Sequence, residues 1–332
     1  MAAETGAVVI TGASAGIGRA TAAAFGRRGW NVALIGRDPT GLASAALEVE
    51  QAGGKALVLC ADVADAAALF AAAERVIERF GTIDAWINNA MVTMFAPVAA
   101  ASPDEFRRIT EVNYLGYVFG TMAALRHMRP RNAGTIVQVG SALAYRAIPL
   151  QAAYCASKFA IRGFTDALRS ELAHENSGIR ITMLQLPAVN TPQFDWARNK
   201  IPGRPQPLPP IHQPERIAEA IVRASRAAPR ELWIGFPSVR AILGTMIAPG
   251  LLDRVLARTG YDGQIGPQPA AGEKADNLFA PVASGHRTHG RFDEQARSWT
   301  PVFNPAWIRG AAAAIALSFV LAIATLAVWL LV

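Results

Sequence analysis

The feature that most constrains the fold is the alternation of short apolar runs with alanine-rich amphipathic segments over the first 235 residues. Each run predicts a strand, and segments such as 17–28 and 39–51 have helical periodicity. The predicted strands are AVVIT (7–11), NVALI (31–35), ALVLC (56–60), DAWIN (84–88), GTIVQVG (134–140), IRITMLQL (179–186) and ELWIG (231–235). This alternation predicts an α/β fold with a doubly wound, mostly parallel sheet and helices on both faces.

A glycine-rich stretch, TGASAGIG (11–18), lies between the first predicted strand and the first predicted helix. Glycines there permit a tight turn and let backbone N–H groups approach a pyrophosphate, where the helix dipole favours negative charge. A glycine-rich stretch alone is a weak signal. Its position directly between a strand and a helix indicates a dinucleotide-binding site.

The second predicted strand ends in LIGRD, which bears on the type of dinucleotide. A carboxylate at this point would bind the free 2′-hydroxyl of NAD, whereas Gly36 and Arg37 offer space and positive charge for a 2′-phosphate. Asp38 precedes Pro39 and is better explained as a helix N-cap, as is Ser102 before Pro103. The sequence therefore predicts NADP(H), with NAD the less favoured cofactor.

These residues, in this order, resemble the short-chain dehydrogenase/reductase family over roughly residues 6–235. The resemblance rests on TGxxxGxG at 11–18, Asp62, Asn88-Asn89-Ala90, Asn113, Ser141 and YxxxK at 154–158. It implies a Rossmann-type sheet and a catalytic tetrad of Asn113, Ser141, Tyr154 and Lys158, with Asn113 holding a water-mediated proton relay. The cofactor-binding residues that the resemblance implies are Thr11, Gly12, Ser14, Gly16, Ile17, Gly18, Arg37, Asp62, Val63, Asn89, Ala90, Tyr154, Lys158, Pro187, Val189 and Thr191.

The chemistry of Tyr154 and Lys158 also follows from their spacing. Residues four apart project from one face of a helix. A nearby ammonium would stabilise a phenolate and bring the tyrosine pKa toward neutrality, so that Tyr154 exchanges a proton with the substrate oxygen while Ser141 hydrogen-bonds that oxygen. The alternative, a surface tyrosine beside a snorkelling lysine, is favoured when the pair is taken alone. The glycine motif reverses that preference.

Some features remain open at this stage. The family glycines after Ala90 and Pro187 are replaced by Met91 and Ala188, which puts the shape of the nicotinamide end in question. Residues 91–97, MVTMFAP, fit an apolar pocket and a packed loop equally well. The proline-dense segment within 188–214 is either a lid over the substrate or a rigid linker.

The C-terminal third divides by composition. We expect a catalytic domain over 1–236, a helical extension over 237–260, a flexible Gly/Pro-rich linker over 261–308 and a transmembrane helix over 309–332. The run 311–332 has no charged residue and, as a helix, spans roughly 33 Å, enough for a bilayer. Arginines upstream of it and the lack of a secretory signal predict a single-pass C-terminal anchor with the catalytic domain on the cytoplasmic side.

Charge and cysteine content exclude other classes of partner. The net charge is +7, but the basic residues are scattered rather than clustered, which argues against nucleic acid. The two cysteines, Cys60 and Cys155, lack metal-type spacing, so we predict no metal site and a reducing compartment. Expected partners are a lipophilic carbonyl or alcohol substrate, the lipid bilayer and, since relatives commonly pair, a second copy in a homodimer or homotetramer.

Two functions from different classes fit the sequence. The favoured one is a membrane-tethered NADP(H)-dependent alcohol dehydrogenase or carbonyl reductase that acts on a lipophilic substrate. Its rival is a membrane-tethered NADP(H)-binding sensor or scaffold without turnover. The complete tetrad argues against the rival, and Met91 is its only support.

Overall fold

The fold was obtained as a computed structural model that describes residues 5–269, 275–308, 310 and 318. Its main sheet has eight strands in the order β15-β12-β7-β6-β4-β1-β2-β3, and all of them except β15 run parallel. In chain order the strands are β1 (Ala7–Thr11), β2 (Asn31–Gly36), β3 (Lys55–Cys60), β4 (Ala85–Asn88), β5 (Met94–Phe95), β6 (Gly134–Val139), β7 (Ile179–Gln185), β8 (Ala188–Val189), β9 (Arg198–Asn199), β10 (Gly203–Pro205), β11 (Ile211–His212), β12 (Glu231–Ile234), β13 (Ile265–Pro269), β14 (Ala296–Arg297) and β15 (Val302–Phe303). The predicted doubly wound parallel sheet is confirmed, and each predicted strand is present to within a residue or two.

Helices cover both faces of this sheet. They are α1 (Gly16–Gly26), α2 (Pro39–Gln51), α3 (Ala66–Phe80), α4 (Pro103–Thr110), α5 (Gly116–Met128), α6 (Ala152–His174), α7 (Gln193–Trp196), α8 (Pro214–Ala227), α9 (Gly235–Ile247) and α10 (Pro249–Val255). One apolar cluster packs α1, α2 and α8 against the sheet, and a second packs α3, α5 and α6 against the opposite face. The central strands β1, β2 and β4 are thus covered on both faces, which explains their mostly apolar sequences, whereas the edge strand β3 keeps exposed residues.

Two predicted helix starts are present with their caps. The Asp38 carboxylate accepts a hydrogen bond from the Gly41 N–H at 2.5 Å and caps α2, as the sequence predicts. At the start of α4, Ser102 and Glu105 form a reciprocal capping box.

The C-terminal part of the chain is packed on the domain. In the predicted helical extension, α9 packs its buried face on Tyr145 and Trp233. Beyond it, β13 pairs with β10, β14 pairs with β11, and β15 pairs antiparallel with β12 at the edge of the main sheet. The composition of 261–308 predicts a flexible linker, but residues 276–303 are not one. Their backbone N–H and C=O groups form hydrogen bonds with distant parts of the domain, although the Gly and Pro content suggests mobility.

The predicted membrane span over 309–332 lies outside the described residues except for Gly310 and Ser318. Within the described part of the chain, no helix has both the length and the apolar character required to cross a bilayer.

Candidate active site

The glycine turn after β1 is interlocked with the loop after β4. Gly12 has a φ of +67°, and a Cβ placed on it would lie 2.7 Å from the Ala90 Cα. A Cβ on Gly18 would lie 2.2 Å from the Gly12 carbonyl oxygen. Asn89 donates to the carbonyls of Thr11 and Gly12, and the Thr11 hydroxyl accepts from the Asn89 and Ala90 N–H groups. Side chains are thus excluded where two backbone segments and a ligand must meet.

Helix α1 begins at this turn without a side-chain cap. Its N-cap residue is Ala15, which has no hydrogen-bonding side chain, and the Gly16 N–H donates to the Arg287 carbonyl at 3.0 Å instead of to a local cap. Gly16, with a φ of +55°, keeps this end of the helix open. A helix N-terminus without a capping side chain, framed by glycines, fits the pyrophosphate of a dinucleotide.

A cleft runs from this turn along the carboxyl ends of β1, β2 and β4 and encloses about 170 Å³. Of the predicted cofactor residues, those on its lining are Gly12, Ser14, Gly16, Ile17, Arg37, Asp62, Val63, Asn89, Ala90 and Thr191. Thr11 and Gly18 lie behind the turn and shape it. Pro187 and Val189 do not line the cleft: Val189 is buried in strand β8, and Pro187 packs near Gly235. Tyr154 and Lys158 also lie beyond its lining.

Arg37 and Asp62 lie at the adenosine end of the cleft, as the sequence predicts, but each has a protein partner. The Asp62 carboxylate is paired with Arg108. The Arg37 guanidinium donates to the carbonyl oxygens of Asn277 and Phe279, which belong to the C-terminal segment. Burial lowers the pKa of Arg37. Because guanidinium pKa values lie far above neutrality, Arg37 keeps its charge, and a phosphate would share or replace its two carbonyl partners.

Tyr154 and Lys158 project from the same face of α6, as their spacing predicts. The Lys158 Nζ lies 5.5 Å from the centre of the Tyr154 ring, and it donates to the Val139 carbonyl at 2.9 Å and to the Tyr117 hydroxyl at 3.2 Å. Lys158 is 2% exposed, so it is not a snorkelling surface lysine. The alternative interpretation, a surface tyrosine beside a snorkelling lysine, therefore does not fit Lys158.

The pKa values of the pair differ from the sequence-based expectation. Burial raises the pKa of Tyr154 above its ordinary value, and the hydrogen bond with Ser141 only partly offsets this. Burial also lowers the pKa of Lys158 to about 7. The structure therefore gives a Tyr154 phenol that keeps its proton at neutral pH, because burial disfavours the phenolate.

Ser141 and Asn113 are held by well-defined contacts. Ser141 follows β6, where its N–H donates to Gln185 and its hydroxyl accepts from the Leu143 N–H at 3.1 Å. Asn113 is fully buried in a π-helical turn before α5 and exchanges hydrogen bonds with the backbone of Val92 at 2.8 and 2.9 Å. Its amide also donates to the Ser157 hydroxyl at 3.2 Å. Asn113 thus ties the loop after β4 to α6, and its side chain makes no contact with Tyr154 or Lys158 in these bonds.

Replacing Lys158 with methionine is expected to stabilise the nucleotide-free protein by about 2 kcal/mol at pH 6. The folded pKa of about 7 is lower than the unfolded value, so burying the charged form costs stability below pH 7. That cost disappears as the pH rises toward 10.5, and the difference between variant and wild type should shrink over the same range. The Val139 carbonyl keeps a partner in the Tyr117 hydroxyl at 3.0 Å.

Urea unfolding of both proteins between pH 6 and pH 10 measures this difference. A Lys158→Met variant that is less stable than wild type at pH 6 would contradict the assignment of an unfavourable buried charge.

The segment 91–97, left open by the sequence, is chiefly a packed loop. Residues 92 to 96 are buried, and β5 within it pairs with β9. Met91, at the start of the segment, is partly exposed. It lines the cleft together with Val92. Ala188 lies in β8, which pairs with β11, so the absence of glycine there is compatible with regular backbone pairing.

Several residues of the site were not predicted from the sequence. Tyr117 contacts Lys158, and its position one helical turn after Asn113 was an available signal. Trp196, Asn277, Val282 and His286 line the cofactor cleft. The last three come from the segment predicted to be a linker, where neither spacing nor periodicity indicates that the chain folds back.

Comparisons with known proteins agree with this geometry. A profile of the family described as short chain dehydrogenase matches residues 6–201. The uncharacterized oxidoreductase YxnA of Bacillus subtilis (strain 168) is 31% identical over 275 residues, which cover 82% of this chain and 77% of that protein. The 3-dehydrosphinganine reductase of Danio rerio is 33% identical over 225 residues, 65% of this chain and 67% of that protein.

A solved structure with a similar fold is the alcohol dehydrogenase from the archaeon Thermococcus sibiricus, complexed with 5-hydroxy-NADP. It aligns with a TM-score of 0.60 and 30% sequence identity over 69% of this chain and 96% of that one. The profile ends at residue 201, so the C-terminal segment on the cleft lies outside the matched region.

Proposed function

Because the chain belongs to the short chain dehydrogenase family, we propose that it is an NADP(H)-dependent oxidoreductase that interconverts an alcohol and a carbonyl compound, with Tyr154 as the acid/base. The family and the nicotinamide-type fold make the chain an oxidoreductase. The choice of NADP(H), the class of substrate and the role of Tyr154 are our proposal.

The observation that carries the proposal is that the protonated phenol of Tyr154 lies beside the buried amine of Lys158. Burial keeps the pKa of Tyr154 high, so its hydroxyl is a proton donor at neutral pH and suits reduction of a carbonyl. A bound nicotinamide would supply the hydride to the carbonyl carbon. Ser141, already hydrogen-bonded to Tyr154, would hold the carbonyl oxygen in the same place.

Lys158 and Asn113 act on this arrangement through position. Lys158 is fixed by the Val139 carbonyl and the Tyr117 hydroxyl, and its partial charge near pH 7 stabilises the negative charge that the phenol acquires as it gives up its proton. Asn113 holds the loop that bears Ala90 and Met91 against α6. We propose that these two side chains keep the proton donor aligned with the cofactor cleft.

The preference for NADP(H) is supported by the charge at the end of β2. Arg37 lines the adenosine end of the cleft, and the nearby acid Asp38 is occupied in capping α2. The solved alcohol dehydrogenase that this fold resembles carries an NADP derivative. A cationic side chain in this position favours a 2′-phosphate over a free 2′-hydroxyl.

Replacing Arg37 with glutamine is expected to weaken NADPH binding relative to NADH binding about ten-fold, which corresponds to the loss of one charge-assisted phosphate contact. Titration of each nucleotide by fluorescence gives the two dissociation constants. Because Arg37 also contacts the C-terminal segment, any loss of that contact should weaken both cofactors equally and cancel in the ratio of the two constants. An unchanged ratio would contradict the proposed role of Arg37.

The proposed substrates are lipophilic aldehydes or ketones. Met91 and Val92 give the cleft an apolar lining near Ala90, and a relative similar over about two thirds of its length is named for reduction of 3-dehydrosphinganine. Oxidation of NADPH by the purified protein with a panel of long-chain and polycyclic carbonyl compounds tests the proposal. If the protein binds NADPH but reduces none of them, the proposed activity is wrong.

We also propose, from the sequence, that 309–332 anchor the protein in a membrane with the catalytic domain on the cytoplasmic side. The support is the uncharged apolar run over 311–332 and the arginines that precede it. Assembly into a homodimer or homotetramer stays a prediction.

A further inference from the structure

Residues 276–293, called the strap, cross the cofactor cleft on the outside. Four strap residues, Asn277, Pro281, Val282 and His286, line the cleft. The strap is anchored by three buried side chains, with Leu278 fully buried and Val282 and Phe292 8% and 6% exposed. It therefore forms a wall of the cleft rather than a loose covering.

The strap is fastened to the bank of the cleft formed by α1 and β2. The Gly16 N–H, at the start of α1, donates to the Arg287 carbonyl at 3.0 Å. Arg19, 5% exposed, donates to the His286 carbonyl at 2.9 Å. Arg37 donates to the carbonyls of Asn277 and Phe279. Two of these donors, Gly16 and Arg37, are groups that a dinucleotide phosphate would also use.

The strap is also hydrogen-bonded to the opposite bank of the cleft, which is formed by α4 and α7. The Asn277 N–H donates to the Trp196 carbonyl at 2.9 Å, and Arg108 donates to the Leu278 carbonyl at 3.0 Å. Asp195 accepts from Arg287 and Arg291. Because both banks are bridged, the strap closes the cleft across its width.

His286 is the contact point between the strap and α2. Its ring lies 5.1 Å from the Trp196 ring, and its Nε2 is 2.8 Å from the Val282 carbonyl and 3.2 Å from the Asp38 carboxylate. The ring fits against Gly41, where a Cβ would lie 2.5 Å from the His286 Cγ. Gly41 has a helical backbone, so the close approach of the ring explains the glycine better than conformation does.

We propose that the strap is the outer wall of the dinucleotide site and that its displacement gates entry and release of the cofactor; this inference rests on the proposed function. With the strap seated, the cleft encloses about 170 Å³, compared with roughly 300–1,000 Å³ for typical small-molecule pockets. A dinucleotide cannot pass through the bridged opening unless the strap moves. Once the cofactor is bound, the strap contacts that it does not use, those of Arg19, Trp196 and Arg108, hold the strap over it.

The substitution Gly41→Ala isolates the strap because it adds one methyl group against the His286 ring. Alanine is compatible with α2, so the helix itself is not weakened. Gly250→Ala is the matched control, since Gly250 also lies in the first turn of a helix and a Cβ there meets nothing within 4 Å. His286→Ala and the double variant Gly41→Ala/His286→Ala complete the set, because removing the ring makes room for the added methyl group.

The experiment measures release of bound NADPH from the full chain after mixing with excess NADP⁺, followed by nucleotide fluorescence. Hydrogen exchange of the strap amides without nucleotide gives an independent readout. We expect Gly41→Ala to raise both the dissociation rate constant and the strap exchange about ten-fold or more. Gly250→Ala should leave both unchanged, and Gly41→Ala should have less than about a two-fold further effect in the His286→Ala background.

Each other result overturns the inference. If strap exchange rises but NADPH leaves at the wild-type rate, the strap does not gate the site, and the proposed function stands. If strap exchange is unchanged in Gly41→Ala, the His286 contact does not hold the strap, and the gate is wrong. If the wild-type protein binds neither NADPH nor NADH, the proposed function fails and the gate fails with it.

Discussion

Replacing Tyr154 with phenylalanine is expected to lower the turnover of any carbonyl substrate about 10²–10⁴-fold, the usual contribution of a positioned proton donor. The substitution removes one hydroxyl from a side chain that is partly buried and hydrogen-bonded to Ser141. The ring remains beside Lys158, so packing around α6 should not change. Steady-state oxidation of NADPH with the substrate found in the panel measures the effect.

The control for Tyr154→Phe is Tyr261→Phe, which removes a phenol hydroxyl from a residue that is 38% exposed. We expect this control to keep wild-type turnover. NADPH titration should give dissociation constants within about five-fold of wild type for both variants, because the phenol proton acts in the reaction rather than in binding. A folded Tyr154→Phe protein with more than half of the wild-type turnover would refute Tyr154 as the acid.

Replacing Glu105 with glutamine is expected to destabilise the protein by about 3 kcal/mol at pH 7, within the range for breaking a buried ion pair. The Glu105 carboxylate is 4% exposed and accepts from Arg198 at 3.1 Å, Lys200 at 2.8 Å and the Ser102 N–H at 2.7 Å. Burial by itself would raise the pKa of Glu105, but these hydrogen bonds lower it to about 2. The variant loses the charge that holds the segment with Arg198 and Lys200 against α4.

The pH dependence of this effect has a definite sign. Because the folded pKa of Glu105 lies below the unfolded value of 4.5, its contribution is present above pH 4.5 and is lost as the pH falls toward 2. The difference between wild type and Glu105→Gln should therefore shrink over that interval in urea unfolding experiments. Glu78→Gln, whose side chain is 64% exposed, should change stability by less than about 0.5 kcal/mol. Equal effects of the two substitutions would contradict a special role for Glu105.

The central fold and much of the site could be predicted from the sequence because their signals are local. Apolar strand runs and helix caps depend on neighbouring residues, and the glycines of 11–18 are required by the close approach of two backbone segments. Tyr154 and Lys158 share a helix, so their spacing alone puts them on one face.

What could not be predicted depends on contacts between distant parts of the chain. The pKa of Tyr154 is decided by burial under elements far from it in sequence, which spacing cannot measure. The strap pairs carbonyl oxygens with arginines about 240 residues or more away, such as Arg37 and Arg19. Backbone carbonyls are present at every residue, so nothing in the sequence distinguishes those that accept such bonds.

Strand β15 has a practical consequence for shortened forms of the protein. It is the last strand of the sheet and runs antiparallel along β12, whose four residues are all buried. A chain cut after α10 would keep the pairing of β12 with β7 but leave the edge of β12 that faces β15 unpaired, next to the buried side chains of Trp233 and Ile234. Such a bare edge is a template for intermolecular β-pairing, so truncated forms that retain β12 and end between α10 and β15 are expected to aggregate.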